Sequence, residues 1–472
     1  MPIGDTLGGF IRPGYNPLLV TDAPTIGTAS SGGSLAISIA FTAPSDVGGG
    51  AITSYEAVAT DTVTAAVFTG TAASSPVTIT GLTEGQSYTT TVTAINAYGP
   101  SGISAASNSF QAAVALELWG MGNGNYGALG QGNTTSYSSP VQVGALTDWA
   151  TVVSGTTGLA VKTDGTFWSW GRNNVGQLGN GNTTDTSSPV QVGALTTWAT
   201  VGGNEGHSAA IKSDGTLWAW GYNNSGQLGQ GNTTDTSSPV QVGALTDWLE
   251  VACGTYVTMA TKTDGTIWSF GSNTYGNLGD GSITDRSSPV QIGALTTWSK
   301  ITCNGKFAMA LKTDGTIWGW GRNDSGGLGQ GNTTDYSSPV QVGALTTWSK
   351  VRAGSDSGGS GWTMAIKTDG TLWCWGRNNY GQLGVGNKDT NSSPVQVGAL
   401  TTWSKIAPVQ KSSYALKTDG TLWSWADGGD GQLGHGNRTS YSSPVQVGAL
   451  TTWSVLPIAA SGITQLALKT VS

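Results

Sequence analysis

The sequence predicts an all-β chain: a β-sandwich, then a closed seven-bladed β-propeller, with an extended arm in front. Three observations carry this. A unit of about 50 residues recurs through the C-terminal part, its SSPVQVGAL or SSPVQIGAL proline falling at Pro140, Pro189, Pro239, Pro289, Pro339, Pro394 and Pro444. Apolar residues alternate with period two and no helical period appears. Glycine (73 of 472) and Trp (20) are abundant while charged residues make up only 10 %, a composition of turns and packed strands.

The chain is too long for one ordinary domain. A net charge of -7 argues against a basic nucleic-acid face. Two His, three Cys without close spacing and few carboxylates leave little material for a zinc site or a catalytic triad, so neither a cofactor nor enzymatic activity is expected. No apolar run is long enough to insert in a membrane as a helix. Cys253, Cys303 and Cys374 are read as small apolar residues, the first two at one position of successive units.

Residues 1–22 lack the basic start, apolar core and cleavage site of a secretory signal, which predicts synthesis and folding in a cytoplasm. Gly8, Gly9, Pro13, Gly14 and Pro17 break regular structure there. Phe10, Ile11, Tyr15 and Leu18 are too apolar for a solvated linker, so the segment reads as an arm that docks on another chain.

Residues 23–111 alternate. Leu35, Ile37, Ile39 and Phe41 fall on one face of a half-buried strand, and Tyr55, Val77, Ile79 and Tyr88 to Ile95 lie in further short strands. GLTEGQSYTTTVTAINAYGPSGISAAS resembles the second half of a fibronectin type III domain, with Leu82 six residues before Tyr88 at its tyrosine corner. The usual strand-B Trp is missing, so Ile39 or Phe41 takes its place. The resemblance implies a spacer or adhesion module.

In residues 112–472 one unit reads as four strands: A at Trp348–Val351, B at Met364–Thr368, C at Thr371–Trp375 and D at Pro394–Val397. Asp369-Gly370 supplies the positive-φ turn between B and C. The repeat begins at strand C (Glu117 to Gly120) and ends at strand B (Gln465 to Thr470). Residues 116–143 and 453–470 are therefore expected to complete one blade and close the ring. All 20 Trp lie here; burying each is worth on the order of 5 kcal/mol, which supports a Gly-rich, charge-poor chain.

The motif ALKTDGTLWSWGRNNxGQLGxG resembles the regulator-of-chromosome-condensation repeat. That resemblance implies a seven-bladed propeller acting through its surface, as in a guanine-nucleotide exchange factor, a plant UV-B receptor and secreted bacterial β-lactamase inhibitors. The His that often precedes strand B in such repeats survives only as His207.

TDGT turns and GALTTW links hardly vary between units, whereas the A–B loops do. One face is thus constant and the other individual. Ligand contacts are expected at Trp362, Tyr256, Phe307, Tyr414 and His207 in the A–B loops, with Trp362 exposed in a glycine-flanked insertion or folded inward over its blade. Arg172, Arg322, Arg377, Tyr126, Tyr275 and Tyr380 join them from the C–D loops. Aromatics and Arg on a rigid rim suit protein or glycan binding. The expected role is a non-enzymatic phage virion protein, held to other virion proteins by the arm and binding a host-surface protein or glycan by the variable face. An inhibitor propeller or an exchange-factor scaffold is the alternative. The NTT triplets are read as turn residues.

Overall fold

The computed structural model describes residues 19–355, 361–457 and 464–471. The chain divides into two compact units, Met1–Ala115 and Leu116–Ser472.

In the first unit two antiparallel sheets share one core. Thr25–Ser31, Ile37–Thr42 and Val77–Ile79 form one; Val67–Ala72, Ile52–Asp61, Ser87–Asn96 and Gly99–Pro100 form the other, with Phe110–Gln111 also paired to Ser87–Asn96. Alternation places Ile37, Ile39, Tyr55, Ala57, Tyr88 and Val92 inside. Phe41 packs on Tyr55 with ring centroids 4.6 Å apart, and Ile39 lies in the same core. The Tyr88 hydroxyl accepts the Thr83 N–H at 3.0 Å, the local bond of a tyrosine corner. Leu35 departs from expectation. It precedes the strand at φ +50 and donates its N–H to Ala113 O instead of lining the buried face.

Of the residues that the sequence assigns to the arm, the last four lie against the sandwich. Leu19 O accepts the Gly49 N–H and Asn96 Nδ2, and Thr21 Oγ1 donates to Asp46 O, so residues 19–22 are fastened to the sandwich. Phe10, Ile11, Tyr15 and Leu18 lie outside the described residues.

The second unit is propeller-like. Its described residues form seven four-stranded antiparallel sheets. Six run in chain order, as in Trp198–Gly203, His207–Lys212, Leu217–Gly221 and Thr236–Gln241. The seventh takes Tyr137–Gln142, Leu116–Gly122, Thr464–Thr470 and Trp453–Val455 in that order, with Thr464 opposite Gly122 and Thr470 opposite Leu116. Each B–C turn is built alike: Gly165 adopts φ +77, and Asp164 Oδ1 accepts the Thr166 N–H at 2.9 Å and Thr166 Oγ1 at 2.7 Å. Thr166 Oγ1 in turn accepts the Trp168 indole N–H at 2.9 Å.

Neighbouring sheets meet through apolar seams. Trp220 packs against Leu159 and Phe167 of the preceding sheet, and its indole N–H crosses to Gln177 O at 3.0 Å. Ser154 Oγ donates to Thr464 O at 2.6 Å and accepts the Leu466 N–H at 3.0 Å, linking the first sheet in chain order to the one that holds the C-terminal strands.

Deleting residues 464–472 removes one strand between Leu116–Gly122 and Trp453–Val455 and exposes both as edges. A fall in melting temperature of several degrees or more is expected by calorimetry; an unchanged transition would contradict this pairing.

Candidate functional site: the loop face of the repeats

The A–B turns and C–D loops are bound to each other by backbone hydrogen bonds. Arg172, Tyr222, Ser272, Arg322, Arg377 and Asp427 each donate their N–H to the carbonyl of Thr156, Gly206, Tyr256, Lys306, Gly361 and Lys411 respectively. The two loop sets therefore share one end of the strands. At the other end B–C turns meet D–A links, as where the Trp198 N–H donates to Gly165 O.

The C–D loops are rigid for a local reason. Asn173 Oδ1 accepts the Leu178 N–H at 2.9 Å, its Nδ2 donates to Thr184 O at 3.0 Å, and its own N–H donates to Asp185 Oδ1 at 2.7 Å. Asn223, Asn273, Asn323 and Asn378 repeat the bond to Leu228, Leu278, Leu328 and Leu383. The NTT asparagines are turn residues: Asn133 Oδ1 accepts the Thr135 N–H at 2.8 Å.

On this frame the aromatics pair with cations across the seams. Arg172 lies over the Tyr126 ring at 5.2 Å, and Arg322 and Lys306 over Tyr275 at 5.0 and 5.6 Å. Lys411 lies over Tyr380 at 5.2 Å, and Tyr256 stands 6.1 Å from Tyr222. Tyr256 and Tyr126 are 44 % and 45 % exposed. Arg322 is also held by Asp324, with Nη2 to Oδ2 at 2.8 Å. Arg377 is partly buried at the matching position. The sequence reading does not single out Lys306 and Lys411, although they occupy the turn position of Tyr256 in their own repeats.

Four expected contact residues are instead core. Trp362, Phe307, Tyr414 and His207 are all buried. Phe307, Trp362 and His207 each sit at or next to the start of strand B, which begins earlier than the KTDGT motif implies: Phe307–Lys312, Gly361–Lys367 and His207–Lys212. Trp362 is the inward-folded form, packed in one cluster with Met364 and Ile366. Tyr414 donates its hydroxyl to Gln432 O at 2.5 Å inside a seam. His207 Nε2 meets Thr258 Oγ1 at 2.8 Å, and that hydroxyl donates to Gln227 O at 2.8 Å. His207 Nε2 therefore carries the proton, and burial pushes its pKa down to about 4. The three thiols are free and buried, Cys253 being pushed up to about 12 by burial. No group of three or more His, Cys, Asp or Glu that could hold a metal ion occurs among the described residues.

Two predictions follow from these placements. Trp362→Ala is expected to cost about 3–5 kcal/mol of stability, and Tyr256→Ala less than about 0.5 kcal/mol, read by denaturant unfolding. Reversed magnitudes would put Trp362 back on the surface. The native His207 resists protonation until about pH 4, whereas an unfolded His accepts a proton near 6.5. Stability is therefore full above pH 6.5 and falls as pH drops toward 4, by up to about 3 kcal/mol. His207→Val should flatten that slope; an unchanged slope would refute the assignment.

Comparison with known proteins agrees with this architecture. The regulator of chromosome condensation (RCC1) repeat matches seven segments, 117–161, 164–211, 214–261, 264–311, 314–358, 369–413 and 419–462. The fibronectin type III domain matches residues 22–110. Human WBSCR16 and Prp20p from Saccharomyces cerevisiae share the fold, each with a TM-score of 0.66 at 19 % identity over 76 % of this chain, covering 99 % and 92 % of theirs. The ultraviolet-B receptor UVR8 of Arabidopsis thaliana is 56 % identical over 41 residues, a match spanning 9 % of this chain and 9 % of the receptor. With the repeat model covering most of its length, the chain belongs to the regulator of chromosome condensation (RCC1) repeat family.

Proposed function

We propose that the chain is a non-enzymatic binding scaffold, a closed seven-bladed propeller whose loop face engages a partner protein. The observation that carries this is the contrast among repeats: five C–D loops are anchored by an Asn in one geometry, the tips differ, and the exposed tips hold Tyr126 beside Arg172 and Tyr256 beside Tyr222. Such pairs offer a large planar surface, the first with a cation, and little entropy to lose. Closure is supported by the antiparallel pairing of Leu116–Gly122 with Thr464–Thr470. A protein partner is favoured because Prp20p, of the same fold, is described as binding Gsp1p and histones.

The finer reading is a phage virion surface protein, with the arm attaching it to other virion proteins and the loop face meeting a host-surface protein or glycan. It is supported by the apolar residues set among Gly and Pro in residues 1–18 and by the near-identity of the repeats, which suits a recently expanded display module.

Binding of the labelled chain to host cells tests the loop face. The Tyr126→Ala, Tyr256→Ala and Arg322→Ala triple variant is expected to bind at least tenfold more weakly with its melting temperature kept, since exposed anchors contribute mainly to contact. Unaltered binding would reject this face. Removal of residues 1–18 should leave the melting temperature unchanged and abolish incorporation into particles; normal incorporation would reject the virion reading.

A further inference from the structure

Every strand-B lysine of the KTDGT motif, and Lys469 in the last repeat, lies against Trp rings at the end of the strands where D–A links and B–C turns meet. Lys162, Lys212, Lys262, Lys312, Lys367 and Lys417 each approach two rings, one from strand A and one from strand C. In three sheets the chain also supplies a carboxylate. Asp148 reaches Lys162 at 3.3 Å, Asp247 reaches Lys262 at 3.4 Å and Glu117 reaches Lys469 at 3.2 Å.

In the other four, Thr197, Thr297, Thr347 and Thr402 stand where Asp148 and Asp247 stand, directly before the strand-A Trp. Among the described residues no carboxylate comes within ion-pair distance of Lys212, Lys312, Lys367 or Lys417. The nearby turn carboxylates, such as Asp214, accept the N–H and hydroxyl of the following Thr and act on the lysine only from beyond ion-pair distance. The ammonium groups respond. Lys212, Lys312, Lys367 and Lys417 sit 3.7, 4.0, 3.7 and 3.8 Å from the strand-C ring centroid, against 4.3 and 4.4 Å for Lys162 and Lys262. The four lysines without an ion pair thus lie 0.3–0.7 Å nearer the strand-C ring than Lys162 and Lys262 do.

Lys212 also opens on a pocket. It is only 9 % exposed and lines a seam cavity of about 340 Å³ with Leu195, Trp198, Trp218 and Pro239. The Trp198 indole N–H is buried without an acceptor, as is that of every strand-A Trp, Trp248 included. The corresponding cavity of the next sheet, lined by Leu245, Trp248, Trp268 and Pro289, does not include Lys262, whose ammonium is taken by Asp247.

We propose that the four lysines without an in-chain ion pair are docking sites for aspartate or glutamate side chains of a partner protein. The chain's own Asp148 and Asp247 show the geometry that such a side chain would adopt. Lys312, Lys367 and Lys417 belong to consecutive sheets, so an extended acidic segment engages several at once and gains by effective concentration. These sites use none of the A–B loops and stand or fall apart from the loop-face reading.

The probe is poly-L-glutamate, with polygalacturonate as the glycan arm, titrated into the full chain and read by Trp fluorescence and calorimetry. Poly-L-glutamate is expected to bind, more weakly as salt rises. Thr197→Asp, Thr297→Asp, Thr347→Asp and Thr402→Asp combined should weaken it at least tenfold by supplying the acid in the chain. The same four changes to Asn should leave it within twofold. If the fourfold Asp variant melts below wild type, Lys212→Met with Lys367→Met takes its place, with the same tenfold loss expected. The proposal is overturned if poly-L-glutamate fails to bind, if the Asp and Asn variants behave alike, or if polygalacturonate binds and poly-L-glutamate does not.

Discussion

The contact on which the propeller-like unit depends is a strand-C ring laid across a glycine of the preceding repeat. A Cβ on Gly179 would stand 2.7 Å from Trp220 Nε1, and one on Gly384 would stand 2.7 Å from Trp425 Nε1. Gly279 and Gly329 meet Trp320 and Trp375 in the same way, while two sheets lack the Trp: Gly229 meets Phe270 and Gly434 meets Met121. These glycines also hold positive φ, Gly179 at +75 and Gly384 at +71, so two constraints exclude a side chain there. The indole then donates to a carbonyl beside that glycine, as Trp425 does to Gln382 O at 2.9 Å. The abundance of Gly and of Trp in this chain is thus one fact seen from its two sides: the flat backbone of one repeat is the seat for the ring of the next. Few charges are needed when five of the seams are closed by a ring and a directed hydrogen bond.

That contact explains why so much of the fold was legible. A turn glycine, a ring pair and a proline recurring every 50 residues or so are separate demands of one geometry, and all had to recur together. The sandwich was legible for a similar reason, because Tyr88 and its partner backbone at Thr83 lie five residues apart and the signal is local. The candidate site was legible only in part. Arg172 and Tyr126, and Arg322 and Tyr275, are brought together as cation–π pairs, but by a seam between repeats that no spacing within one repeat reveals.

The misplaced residues share a physical cause. Variation between repeats was read as exposure, whereas the start of strand B varies because it fills seams of differing shape. Period two carried the correct answer. Trp362, Met364 and Ile366 alternate on one face, as do Phe307, Met309 and Leu311, and each set lies in one buried cluster. The glycines before Trp362 masked that continuity, since a Gly-flanked aromatic resembles a loop tip. His207 follows the same logic: a seam that offers the Thr258 hydroxyl accepts a neutral imidazole.

Seam variation also solves a problem that near-identical repeats create. Sheets with interchangeable edges can pair out of order, and arrays of similar units misassemble for that reason. Here Phe307 lies where a Cβ on Gly361 of the next repeat would stand 2.0 Å from its ring. The equivalent position is Lys306 or Lys411 in other repeats, either of which would collide with that Phe. Gly354 likewise leaves room for Pro408 of the next sheet, whose Cβ a Cβ there would approach to 2.6 Å. Phe307 with Gly361, and Gly354 with Pro408, are therefore matched across their seams. The constant residues recur from seam to seam, and residues at the head of strand B such as Phe307 give individual seams a shape of their own.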